Sequence, residues 1–419
     1  MVWAIVQDHI YPDLLFLGSE FGLYTSLNHG ENWHKLSGNV PTISFRELKL
    51  HRRDDDLVGA SFGRGFYILD DYSALRELST ESLARPYNMF PVRDAWWYVP
   101  YQPMQAPGQP TLGSTAYRQP NPEFGACLTY HVGEDLQSSH KQRLALEKQD
   151  GGLQTDVEFP GWDQLWLEHV EQEPKLMLLI QTESGIPIRY LEADGEAGLH
   201  RTTWDLRFDS PHPEGLKRPD FEAPWEAQPQ GPLVAPGVYW AGLVVVGEQG
   251  AEQVSERQQF TVKPIASVAD HHTDTTTEFH LATAKLARDA LGADHRIQQT
   301  RARIRNARAS VLRTPSSSDD VLARLSGIHQ SLEDLSRSLS GDPVRLKLSE
   351  PDIMSPLARI SRIVGHQWDT TQAPTVTQRT SLSQAADTLG TLVHELAEID
   401  DLLSAIELET RGNGGPWSG

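Results

Sequence analysis

Cysteine is nearly absent, with one thiol, Cys127, in 419 residues. Neither an intrachain disulfide nor a cysteine metal site can form from it. Cys127 sits in the alternating stretch Ala126-Cys127-Leu128-Thr129-Tyr130 and reads as a packed thiol on a strand rather than a nucleophile. Long hydrophobic runs are missing too, and no stretch approaches the roughly 18 apolar residues of a membrane span. The first residues, Met1 to Asp8, carry no basic segment, and their apolar run is too short for a signal peptide. Positive charge is in deficit: 37 Lys and Arg stand against 57 Asp and Glu, a net charge of −20. That counts against a nucleic-acid partner, which needs clustered cations for the phosphate backbone. The one basic stretch, 296–308, reads as a solvated helix face rather than a nucleic-acid patch. No His-Glu-x-x-His, phosphate-binding glycine loop or nucleophile elbow is present, and no cofactor is expected.

What the sequence has in quantity, up to about residue 84, is short strands separated by Gly, Asp and Asn turns. The candidates are 2–7, 14–18, 23–26, 33–36, 45–50, 57–61 and 66–69. Leu17-Gly18…Gly22-Leu23-Tyr24 recurs 43 residues on as Ala60-Ser61…Gly65-Phe66-Tyr67. A period of about 40–45 with four short strands per unit is the signature of propeller blades. One turn is more specific. Ser26, Asn28, Gly30 and Trp33 fit the Asp-box pattern Ser-x-Asp-x-Gly-x-x-Trp, with Asn in the acidic place. In a hairpin, Asn28 can bond the backbone two residues on, Gly30 supplies a positive φ, and Trp33 packs back onto the strands. Such a turn is a fold staple rather than chemistry.

On these residues the chain resembles the C-terminal part of the bacterial BNR-repeat (Asp-box), sortilin-like or glycosyl hydrolase-like β-propeller proteins. Further matches in style are Gly63-Arg64-Gly65-Phe66, Ile68-Leu69-Asp70-Asp71, Trp204-Asp205-Leu206-Arg207, Ala235-Pro236-Gly237-Val238-Tyr239 and Gly415-Pro416-Trp417. The likeness implies an extracytoplasmic home for the full-length protein, although this chain shows no signal. Family members often carry His before the Gly-Arg-Gly. Here that position is Phe62, so a histidine role there is lost. Seven strands make fewer than two blades, so the remaining blades are expected from the same protein or a partner chain.

Residues 85–120, rich in proline and carrying Trp96, Trp97, Tyr98 and Tyr101, read as a connector, with an aromatic sugar platform as the functional alternative. From 121 to 266 several strand-length segments suggest an Ig-like β-sandwich, interrupted by a polar insertion at 137–173 with a short helix. From 267 to 412 apolar residues fall on 3–4 spacings, notably Leu382, Ala385, Leu389, Leu392, Leu396, Ile399, Leu403 and Ile406. They predict an antiparallel helical bundle, followed by a tail at 413–419. The fold class is therefore multidomain α and β: partial propeller blades, a sandwich, then a bundle.

No catalytic set is apparent. Glycoside hydrolysis takes paired carboxylates, and a sialidase-type site draws its groups from several blades around a ring. Glu20 and Arg64 are the candidate ligand-binding residues, each in the hairpin between the second and third strands of its blade. The plainer alternative is an ion pair between blades. Asp54-Asp55-Asp56 reads as a solvated turn rather than a calcium loop. Asp270-His271-His272-Thr273-Asp274 has metal-ligand residue types but sits where helix caps are common, and no metal is expected. The role predicted is non-catalytic binding or scaffolding of protein, peptide or glycan. The alternative is a fragment of a glycosidase-like hydrolase whose catalytic residues lie mostly in missing blades.

Overall fold

A computed structural model describes residues 1–100, 121–151, 159–212, 229–248, 250–265, 274–314 and 319–416. It is mixed α and β, with several sheets, one of them curled into a half-barrel. The described residues contain eight α-helices and end in a helical region. They fall into two compact units. The first takes in 1–97, 121–206 and 236–264, and the second the described parts of 207–235 and 265–416. The segments read separately as blades and as a sandwich thus belong to one unit.

In the first unit, β1 (Val2–Gln7), β2 (Leu15–Ser19), β3 (Gly22–Ser26) and β4 (His34–Lys35) form an antiparallel sheet in chain order. β5 (Phe45–His51), β6 (Asp56–Ser61) and β7 (Phe66–Leu69) form a second, three-stranded one. Period-2 alternation gives each sheet an apolar face, and the two faces share one core of Leu14, Phe16, Leu23, Phe45, Leu48, Leu57 and Tyr72. Glycine makes the approach close. A Cβ on Gly18 would lie 2.9 Å from the Phe45 carbonyl oxygen, and one on Gly59 3.0 Å from the Phe45 ring.

Alternation also makes the opposite faces apolar. Ile5 stands in register with Leu17, and Leu17 with Tyr24, on the far face of the first sheet. Phe66 and Ile68 stand in register with Ala60 and Val58 on the far face of the second. The outer members of these rows are open to solvent: Ile5 is 57% exposed, Phe66 76% and Ile68 60%.

Past a 3-10 turn (Ser73–Glu77) and helix α1 (Thr80–Ala84) come β8 (Tyr87–Met89) and β9 (Ala95–Trp97). They correct the connector expected at 85–120, whose first part supplies a strand to each of two further sheets. Three-residue strands between prolines leave too little alternation to read, yet Met89, Ala95 and Trp97 are all buried. Tyr101 and the rest of that connector lie outside the described residues. β10 (Ala126–Val132) is followed by α2 (Ser139–Gly151) and α3 (Trp162–Val170), two helices where one short helix was expected. Then come β11 (Lys175–Thr182), β12 (Pro187–Glu192), β13 (Gly198–Trp204), β14 (Gly237–Gly247), β15 (Gly250–Gln253) and β16 (Gln258–Pro264). One sheet has the order β13-β10-β8. The other runs β12-β11-β14-β16-β9 with β15 beside β14, and its β16–β9 pair is parallel. Buried Trp204 on the smaller sheet meets the rings of Tyr239 and Phe260 on the larger one, at centroid distances of 5.4 and 6.0 Å.

The second unit is built from α4 (Asp274–Val311), α5 (Asp319–Ser340), α6 (Pro343–Lys347), α7 (Pro356–Gln367) and α8 (Val376–Gly412). Apolar stripes on α4, α5 and α8, joined by Ile360 of α7, form a single core. Ion pairs set the directions. Arg296 bonds Asp400 and Arg303 bonds Glu407, so α4 and α8 run the same way. α5 and α7 return between them, with Arg301 of α4 bonded to Glu333 of α5. The basic stretch 296–308 therefore spends three of its arginines on neighbouring acids rather than on solvent. α5 ends at Ser340 ahead of Gly341, and Pro343 opens α6 behind the Asp342 cap.

Leu403 is fully buried in this core, whereas Leu408, five residues on, is 68% exposed. Leu403→Ala is expected to cost about 2–5 kcal/mol from lost burial and the residual cavity, and Leu408→Ala less than about 0.5 kcal/mol. Urea unfolding followed by helical circular dichroism checks this. Equal effects at the two positions would contradict the packing.

Candidate functional site

The stacked small sheets have two unlike ends. At one end lie the turns 8–14 and 52–55 and the Asp-box turn. Here Gly30 N–H donates to Ser26 Oγ at 2.9 Å, Ser26 Oγ–H to Asn28 Oδ1 at 3.0 Å, and Asn32 N–H to Asn28 Oδ1 at 2.9 Å. Asn28 thus bonds backbone four residues on rather than two. Gly30 has φ +89°, and a Cβ there would sit 3.6 Å from the Trp33 ring, which is half-buried. The turn is tied to its neighbour by His29 N–H donating to the Asp13 carbonyl at 2.9 Å.

The same end is closed by a buried charge cluster. Arg76, from the 3-10 turn, donates to Asp8 through Nε (2.8 Å) and Nη2 (2.9 Å), and to Asp55 through Nη1 (3.0 Å) and Nη2 (2.6 Å). Asp8 also accepts from the Tyr72 hydroxyl at 2.7 Å and the Tyr11 amide at 2.8 Å. Burial alone would raise the Asp8 pKa, but the bonds from Arg76, Tyr11 and Tyr72 outweigh it and hold the carboxyl far below its ordinary range. Asp8, His9 and Asp55 have metal-ligand geometry, yet the Arg76 guanidinium already stands between the two carboxylates as their cation. A second such group, His51, Asp54 and Asp56, lies in the adjacent turn. Asp54 is bonded there by Arg53 at 2.7 Å, and Asp56 accepts the Asp71 amide at 3.0 Å. The aspartate triplet is therefore a half-buried fastening and not the solvated turn expected. Asp70-Asp71 is fastened too, its two carbonyls accepting from Arg201 at 2.7 Å.

The other end is open. It carries the hairpin of Glu20, beside β1 through the Val2–Ser19 pairing, and the hairpin of Arg64, beside β5 through Phe45–Ser61. Arg46 joins the two, its guanidinium 3.5 Å from the Trp3 ring centroid and 4.8 Å from that of Phe62. Neither Trp3 nor Arg46 was singled out from sequence. A bulge at 45–47 re-aims Arg46, and no pattern in one chain signals that. Glu20 and Arg64 are both exposed, and among the described residues no hydrogen bond or ion pair joins them. The inter-blade ion pair weighed for them does not form. Glu20 lies instead 3.6 Å from the amino group of Met1. With Phe21, Phe62 and Phe66 more than half exposed, this end offers charge and aromatic faces, which suit stacking and polar recognition. Its two hairpins bring one acid and one base, not the carboxylate pair that glycoside hydrolysis takes.

A third surface is the α2–α3 pair. Its helix α3 is inverted. Glu168 is buried and bonded by Arg143 Nε at 2.9 Å, which holds its carboxyl at about 2, while Trp162 and Trp166, one turn apart, are 78% and 64% exposed. Cys127 is partly buried on β10, and burial pushes its thiol pKa up, away from a nucleophile's. The Asp270–Asp274 stretch lies outside the described residues. Comparison with protein-family models, with curated proteins and with solved structures finds no match to this chain.

The Asp8 cluster generates a pH prediction. A carboxyl whose folded pKa is depressed contributes stability that is full above its unfolded value near 3.9 and is lost as pH falls toward the folded one. Stability of the first unit is expected to drop below about pH 5. Asp8→Asn should cost about 3–5 kcal/mol at pH 7, as for breaking a buried pair, and should flatten the acid limb. Urea midpoints between pH 3 and 7 measure both, and parallel acid limbs in the two proteins would refute the assignment.

Proposed function

We propose that this chain is a binding or scaffolding segment of a larger Asp-box β-propeller protein that recognises a protein, peptide or glycan. In this reading β1–β4 and β5–β7 are two neighbouring blades, β8–β16 an Ig-like sandwich, and α4–α8 an antiparallel bundle that carries them. One observation bears most of the weight. The two small sheets pack face to face and still present uncovered apolar rows on both outer faces. A protein rarely leaves such faces open, and a matching sheet is their natural cover. The 43-residue repeat and the hydrogen-bonded Asp-box turn support the same reading. The open end with Glu20, Arg46, Phe62 and Arg64 is the surface such a protein would use on its ligand.

If further blades belong on these faces, the chain alone should self-associate through them. Sedimentation velocity at tens of micromolar is expected to show dimers and larger species. Ile68→Lys or Ile5→Lys should shift the population to monomer without moving the thermal midpoint, because both side chains already face water. A monomeric wild type, or self-association that neither substitution weakens, would sink the proposal.

A further inference from the structure

The two histidine–aspartate clusters at the fastened end of the small sheets differ in what neutralises them. In the first, Asp8 and Asp55 share the Arg76 guanidinium, which bonds both and whose side chain is 11% exposed. In the second, His51, Asp54 and Asp56, the guanidinium that bonds a donor atom among the described residues is that of Arg53, whose side chain is 73% exposed. Arg76 is fixed from two turns at once. Arg53 sits on its own chain neighbour at the surface, where such a pair is weak and easily exchanged.

The hairpin itself assembles the second cluster. His51 ends β5 and stands in register with Asp56, which opens β6, so the two side chains leave one face of the sheet side by side. Asp54 lies in the turn between them. His51 Nδ1 is 3.2 Å from Asp54 Oδ2 and 3.5 Å from Asp56 Oδ2. Donor atoms about 2.0–2.2 Å from a tetrahedral zinc ion stand about 3.3 Å from one another, which is this spacing. The trio is also held from outside. Asp56 Oδ1 accepts the Asp71 amide at 3.0 Å, which leaves Oδ2 for a ligand, and Arg93 donates to the Asp54 carbonyl, which fixes the turn. Burial, and after it the charge of Asp56, push the Asp70 carboxyl pKa up, a mark of negative charge gathered beside the trio. One imidazole with two carboxylates is a zinc donor set, whereas calcium and magnesium take oxygen ligands.

We propose that His51, Asp54 and Asp56 bind a zinc ion, with Arg53 turning into water as the metal takes its place on Asp54 Oδ2. The fourth position is open to solvent on the side of His51, which is 47% exposed. Every ligand comes from the β5–β6 hairpin, so the site is independent of the blade reading and of any partner.

The test uses the full chain without an affinity tag, stripped with EDTA and dialysed, with zinc chloride as probe and calcium chloride as comparison. Calorimetry is expected to give a zinc dissociation constant of roughly 0.1–10 µM, weaker than four-ligand structural sites, and calcium binding weaker by about tenfold or more. In ¹H–¹³C spectra assigned through the backbone, the His51 ring resonances should shift with zinc while those of His9 stay in place. His51→Asn should weaken zinc binding by about tenfold or more. Arg53→Ala, which removes the competing cation, should tighten it about threefold, and His9→Asn should leave it unchanged. Zinc held only by scattered surface histidines would respond alike to His51→Asn and His9→Asn and would ignore Arg53→Ala. Four outcomes overturn the proposal: zinc binding no tighter than millimolar, His51 resonances that zinc does not move, equal affinity in wild type and His51→Asn, or a preference for calcium. The wild-type spectra and the calcium comparison decide the matter even if a variant fails to fold.

Discussion

The contact between Arg76 and the pair Asp8 and Asp55 is what the N-terminal sheets depend on. Asp8 ends the first strand of one sheet, Asp55 lies in the first turn of the other, and Arg76 follows both in the chain. A single guanidinium with a planar fork can satisfy two carboxylates at once, which a lysine could not. Taking three charges out of water is costly, so the cluster is weak evidence for raw stability. Its value lies in register. Two small sheets sharing a modest apolar core could slide on one another. A five-donor group bonded to one turn from each sheet defines a single arrangement.

The strong end makes the weak end intelligible. With the turns at 8–14 and 52–55 fastened, the opposite hairpins need no structural ion pair, and Glu20 and Arg64 are left facing water. Arg46 between Trp3 and Phe62 is the lighter tie there, a cation on aromatic faces that costs little desolvation. The arrangement concentrates buried polar bonds at the end away from the Glu20 and Arg64 hairpins. The open-end hairpins can then vary without loosening the sheets. The helical unit follows a similar economy, setting Arg296, Arg301 and Arg303 against acids of adjacent helices.

Much of this architecture was legible because its signals are local. Strands such as 2–7 and 66–69 follow period-2 alternation, and the α8 stripe from Ala385 to Ile406 follows a 3–4 spacing that no strand would show. What could not be read depends on contacts distant in sequence. β8 and β9 are three residues each, and their partners lie on β10 and β16, so the evidence for them is pairing rather than pattern. The role of Arg76 needs Asp8, 68 residues earlier. At the candidate site, the hairpin positions of Glu20 and Arg64 follow from the repeat. Trp3 and Arg46 enter only through the bulge and the stacking of two sheets. Trp368 lies just past the end of α7, where no helical pattern marks it, yet it is buried.

Helix α3 shows how burial and exposure can be exchanged for a purpose. A helix of its composition, with Trp162, Leu165, Trp166 and Val170 on neighbouring turns, would by the hydrophobic effect turn that side inward. It does not, because Glu168 on the other side is held by Arg143, His140 and Gln164. Once that carboxylate is bonded by several donors, rolling the helix over would break them all. The electrostatic lock therefore outweighs the gain from covering two indoles, and it keeps the aromatic rings presented to water. Exposed indoles of this kind are among the side chains most enriched at contact surfaces.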